Sequence, residues 1–112
     1  MPLRNADVAD VIDRLGDLYE LDGAIVHRVL AYRRAAARLR STPKSVDRLA
    51  AEGRLTDLPD IGKTLADKIV ELRDTGRIAA YERLSATYPP GLSEIMHLPG
   101  VGAKTTRRLF AE

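Results

Sequence analysis

Twelve residues from Leu58 to Ile69 recur forty positions later, from Leu98 to Leu109, and the repeat is built from residue types that can hold an anion. Leu58-Pro59-Asp60-Ile61-Gly62-Lys63 and Leu98-Pro99-Gly100-Val101-Gly102-Ala103-Lys104 share the pattern Leu-Pro-x-(Ile/Val)-Gly, followed by a helix with basic residues in its first turns. Proline ends the preceding helix, the next residue takes a positive φ, a β-branched side chain plugs the turn into the core, and glycine lets a ligand approach the backbone. The helix that follows offers unpaired amides and the positive end of its dipole, and Lys63 or Lys104 adds charge beside it. Phosphate is the natural ligand. Contacts of this kind read a nucleic-acid backbone and carry no direct base information.

Other chemistry is scarce. The chain has no Cys and only two His, His27 and His97, which excludes disulfide frameworks, zinc fingers and thiol nucleophiles. Lys68 lies at the border of the Leu65, Ile69, Leu72 stripe, where a lysine lays its stem over the core edge, and neighbouring Asp67 and Glu71 favour its charged form. Tyr32 falls on an apolar stripe with Ile25, Val29, Ala36 and Leu39, whereas His27, Ala31, Arg34 and Arg38 share the opposite face. An aromatic plane beside such a basic face suits a single-stranded template. His97 is expected to pack or cap.

Charge is segregated along the chain although the net is only +2. Residues 1–27 carry two basic and six acidic side chains, and residues 28–48 carry seven basic and one acidic. Residues 49–96 carry six and eight, and residues 97–112 three and one. Two basic zones therefore stand out, the second helix and the second repeat.

The 112 residues suffice for one core, and an aromatic content of 4% with scattered β-branched residues argues for an all-α bundle of short helices. Asn5 or Asp7 is expected to cap a first helix ending near Asp22-Gly23, and a second helix is expected from Ala24 to Arg40. A short helix follows from Ser45 to Glu52, and others near 63–73, 78–86, 92–97 and 103–111. No apolar run is long enough to span a membrane, and a cytoplasmic location is expected, nucleoid-associated if the source is bacterial.

Taken together, His27-Arg28-Val29-Leu30-Ala31-Tyr32-Arg33-Arg34-Ala35-Ala36 and the two Leu-Pro-x-(Ile/Val)-Gly turns make the chain resemble the N-terminal tandem helix-hairpin-helix region of family X DNA polymerases, from about Val8 to Leu109. The resemblance implies a lyase-like part over 8–86 with a first hairpin at 58–69, and a second hairpin at 98–109 within 87–112. It implies non-sequence-specific binding of gapped or nicked DNA by a monomer acting in base excision repair, the first hairpin on the 5′-phosphate side of the gap and the second on the duplex. The DNA-binding residues it implies are His27, Arg28, Tyr32, Arg34, Arg38, Gly62, Lys63, Gly100, Gly102, Lys104, Arg107 and Arg108. Lys68 stands where lyase members carry a Schiff-base lysine, so 5′-deoxyribose phosphate lyase activity is the enzymatic alternative. Backbone carbonyls of Thr56, Leu58 and Ile61, and of Met96, Leu98 and Val101, match those that bind Na⁺ or K⁺ once DNA completes the shell. Three positions depart from the pattern: Thr64 and Ala80 stand where relatives are basic, and Asp60 replaces the first hairpin glycine. Nucleotidyl transfer would need clustered carboxylates on a sheet domain, which these residues do not form, so the chain is expected to be either a terminal fragment of a larger enzyme or a free-standing module. A third reading is a protein-docking helical bundle.

Overall fold

The computed structural model describes residues 3–111. Its first element, α1 (Asn5–Leu21), is followed by α2 (Val26–Ser41), and the two run antiparallel as the central pair of the fold. Their seam is made by Val8, Ile12, Leu15 and Tyr19 from α1 and by Val29, Tyr32, Ala36 and Leu39 from α2, at the three- and four-residue steps legible in the sequence. Gly16 lets the helices close up, since a Cβ there would sit 3.2 Å from that of Tyr32.

Two local expectations fail. Neither Asn5 nor Asp7 caps α1: the cap is Arg4, with no side-chain bond, and Asn5 is the first helical residue. The Asn5 amide instead reaches across the molecule, donating to the carbonyls of Thr42 and Lys44 and accepting from the Val46 amide, so it pins the α2–α3 connection. Helix α2 starts two residues later than expected, and Ile25, placed on the core stripe by periodicity, is 71% exposed as the helix cap. The extended backbone at Ile25 breaks the helical phase that periodicity assumes.

Ser45, expected as the first residue of the third helix, instead caps α3 (Val46–Ala51), accepting from the Arg48 amide. A 3₁₀ turn at Leu55–Asp57, not foreseen from the sequence, leads into the first repeat. Helix α4 (Lys63–Thr75) ends at Gly76 in the left-handed conformation, and α5 (Ala79–Thr87) begins where the Glu71 carboxylate accepts from the Ala79 amide at 2.7 Å. Two short elements follow, α6 (Leu92–Met96) and α7 (Gly102–Ala111). Helices α5, α6 and α7 all lean on α1, while α3 packs on α4, giving an elongated body of 47 × 24 × 20 Å. The fold is all-α, with no strand among the described residues, and none of its helices is long and apolar enough to cross a membrane.

Candidate nucleic-acid interface

The two repeats fold as helix-turn-helix units but not as identical copies. In the first, Asp60 takes the positive φ (69°), Ile61 is buried as the plug, and Gly62 is extended at φ −87°, ψ −179° before α4 begins. In the second, Gly100 (φ 79°) and Gly102 (φ 77°) both take positive φ, and α7 starts at Gly102 itself. A Cβ at Gly62, Gly100 or Gly102 would meet open space, so the backbone is approachable at all three glycines. The Leu58 carbonyl accepts from Ile61 N–H at 3.3 Å and the Leu98 carbonyl from Val101 N–H at 3.1 Å, closing each turn. Each of those carbonyls keeps a second lone pair, and those of Thr56 and Ile61 accept no backbone amide outside the helices among the described residues.

Charge at the two turns differs more than their backbones do. At the first, Lys63 Nζ lies 3.1 Å from Asp67 Oδ2, and Asp60 Oδ2 is 3.4 Å from both Nε and Nη2 of Arg38. Lys63 and the α2 residue Arg38, the two cations at this turn, are thereby engaged. At the second, Lys104 and Arg108 are exposed and make no ion pair among the described residues. Arg107 is half-buried and turns toward the protein body, its guanidinium close to Gly23 at the end of α1.

The basic face of α2 is likewise divided. Arg33 sits among Asp13, Asp17 and Glu20, and Arg40 bridges Asp10 and Asp13, so these two arginines bind α1. Their acidic partners hold both guanidinium groups charged; burial of Arg33 opposes this and is outweighed. His27, Arg28 and Arg34 are exposed, and Arg28 lies over the Tyr19 ring at 5.0 Å. Tyr32 is 3% exposed and packs on Tyr19 with ring centroids 5.1 Å apart. Burial, then the neighbouring Tyr19, push its phenol well above the usual tyrosine range, with Arg28 opposing weakly. Tyr32 is therefore a core residue, and Tyr19, not Tyr32, lies under Arg28.

Lys68 is half-buried, as the border position predicts. The two neighbouring acids have other partners: Asp67 binds Lys63, and Glu71 accepts from the Ala79 amide at the start of α5. Among the described residues Lys68 makes no ion pair. His97, whose Nε2 lies 2.9 Å from Asp17 Oδ1, ties the start of the second hairpin to α1 beside Arg33. Asp10, Asp13, Arg14, Asp17, Arg33, Arg40 and His97 surround a cleft of about 430 Å³ between these elements. Sequence reading missed this network, although Asp10, Asp13, Asp17 and Glu20 recur at helical steps opposite Arg33 and Arg40.

Residues 3–78, which hold α1 to α4 and the first hairpin, match the helix-hairpin-helix domain. Over 110 residues, 98% of its length, the chain is also 29% identical to the DNA polymerase/3'-5' exonuclease PolX of Bacillus subtilis (strain 168), of which it spans 19%. Residues matched over more than half of the chain, together with two Leu-Pro-x-(Ile/Val)-Gly turns held on one helical body, make it a member of the helix-hairpin-helix domain family.

Proposed function

We propose that the chain is a DNA-binding module that grips the sugar-phosphate backbone of gapped or nicked DNA without reading sequence, as part of a family X polymerase-like repair protein. One observation carries the reading: two Pro-x-(Ile/Val)-Gly turns present unobstructed glycine backbone at helix starts, the second with Lys104 and Arg108, exposed and without an ion pair among the described residues. Similarity to a protein named as a DNA polymerase supports it. The second hairpin supplies most of the duplex affinity, because the charges of the first are internally compensated. The first hairpin, with His27, Arg28 and Arg34 on α2, faces the gap. The carbonyls of Thr56, Leu58 and Ile61, and of Met96, Leu98 and Val101, would hold Na⁺ or K⁺, which would supply positive charge toward a phosphate once DNA completes the shell.

A terminal 5′-phosphate carries more charge than an internal diester and gains more from converging cations. With Thr64 and Ala80 in place of bases, the gain is modest, about 0.5–1.5 kcal/mol. Fluorescence-anisotropy titration of gapped duplexes with and without the 5′-phosphate tests this. Equal affinities would remove the phosphate pocket.

A second reading, 5′-deoxyribose phosphate lyase activity, is favoured by Lys68 alone: a half-buried amine whose neighbouring acids are engaged elsewhere. In that chemistry the amine adds to the C1′ aldehyde and water leaves to give an imine; loss of a C2′ proton with cleavage of the C3′–O bond expels the phosphate, and water hydrolyses the imine to free the lysine. Borohydride trapping on an incised abasic duplex, lost in Lys68→Ala, is the expected signature. No trapped adduct with the wild type would dismiss it.

A further inference from the structure

We propose that Arg38 is the internal counter-charge that lets the first hairpin accept a phosphate in spite of Asp60, so that one residue of α2 and one of the turn work as a unit. The proposal rests on the DNA-binding reading above. Asp60 holds the positive-φ position that Gly100 holds in the second copy, and it is the only non-glycine in that region among the described residues. Aspartate tolerates this conformation better than most side chains, so the turn survives the replacement. Its consequence is electrostatic: a carboxylate stands two residues ahead of Gly62, the cap of α4, where a phosphate would approach.

Compensation does not come from the hairpin itself. Lys63 is paired with Asp67 one turn along α4, and Thr64 contributes no charge. Lys68, the other lysine of the hairpin, makes no ion pair among the described residues and none with Asp60. Arg38 supplies the compensating cation from 22 residues away in sequence, with two guanidinium nitrogens each 3.4 Å from Asp60 Oδ2. A fork shared with one carboxylate oxygen fixes the guanidinium at the turn. Both side chains are about two-fifths exposed, so the pair adds little to folding stability, and its effect falls on what the hairpin can bind. The second hairpin, with glycine at the matching position, needs no such partner.

A double-mutant cycle on the whole chain tests the idea, using a gapped duplex with a 5′-phosphate as probe and anisotropy at several salt concentrations. Asp60→Asn keeps a side chain tolerant of positive φ and removes the charge. We expect Arg38→Ala to bind about tenfold more weakly, the scale of one like-charge contact left uncompensated. Asp60→Asn should bind like the wild type, and the double variant should recover to within about threefold of Asp60→Asn, the non-additivity of groups that act together. Adding Arg38→Ala to Asp60→Asn should leave the salt slope unchanged. Arg38→Lys should restore most of the loss. If Arg38→Ala melts early, Arg38→Gln carries the same cycle with the side-chain stem retained. A loss of equal size in both backgrounds, with a slope lowered by about 0.9, would make Arg38 an independent phosphate ligand and overturn the proposal. No loss in either background would overturn it too. A wild type that does not bind the duplex overturns the DNA-binding reading and the pair's role with it, an outcome distinct from binding with additive losses.

Discussion

Tyr32, on the apolar stripe of α2, and Lys68, at the border of the apolar stripe of α4, show how a stripe can hold a structural residue or a reactive candidate. Tyr32 is sealed against Tyr19, and its phenol is held above the ordinary tyrosine value of 10.0, chiefly by burial. Such a group keeps its proton in the folded chain at a pH where the unfolded chain loses it. Stability is therefore intact below pH 10 and falls as pH rises above it. Tyr88 is shifted the same way, by burial first and then by its hydrogen bond to Asp22, so it adds to the effect. Spectrophotometric titration should show early ionisation of fewer tyrosines than the four present, the remainder appearing with loss of helical circular dichroism. Ionisation of all four before any unfolding would contradict the buried placement of Tyr32. Arg33 supports a second expectation. Removing it leaves Asp17, whose side chain is 12% exposed, with His97 as its remaining partner, and Arg33→Ala should cost about 1–3 kcal/mol in denaturant unfolding. A change below about 0.5 kcal/mol would show the network to be a solvated surface cluster.

Among elements, the two hairpins divide labour through charge and backbone together. Gly102→Asp would be a poor probe of charge, because φ 77° strains any side chain, whereas Gly62 sits in extended backbone that other residues adopt. Cations give the cleaner comparison: Lys104→Ala should weaken duplex binding several-fold, and Lys63→Ala less, since Lys63 already serves Asp67. Equal losses, measured on variants with wild-type helical spectra, would show that internal pairing does not govern affinity. The repeat, its turn residues and the helices beside it were legible because Pro, Gly and a β-branched plug act within a few residues of themselves. Asp60 could be recognised as a tolerable replacement on the same local ground, and its positive φ bears that out. Its bond to Arg38 and the tie from His97 to Asp17 were not legible, because each joins elements that only the tertiary fold brings together. Ile25 was misplaced for a related reason: periodicity counts residues and does not see where a helix begins.

Across the whole molecule, segregated charge proves to have two uses. The acidic N-terminal segment and the basic second helix look from sequence like an outward-facing dipole, yet Arg33 and Arg40 spend their charge on α1. The exposed cations without an ion pair among the described residues of α2 and α7, namely Arg28, Arg34, Lys104 and Arg108, are the ones available to an external polyanion. The central claim is that this body binds DNA through phosphates. The most direct measurement is the affinity for one gapped duplex, and for a second of unrelated sequence, across a range of salt concentrations. Both duplexes should give the same straight line of log affinity against log salt, its slope about −0.9 for each phosphate engaged and shallower by about one contact in Lys104→Ala. A flat line would contradict phosphate binding and favour a protein-docking bundle, and different affinities for the two sequences would contradict backbone-only recognition.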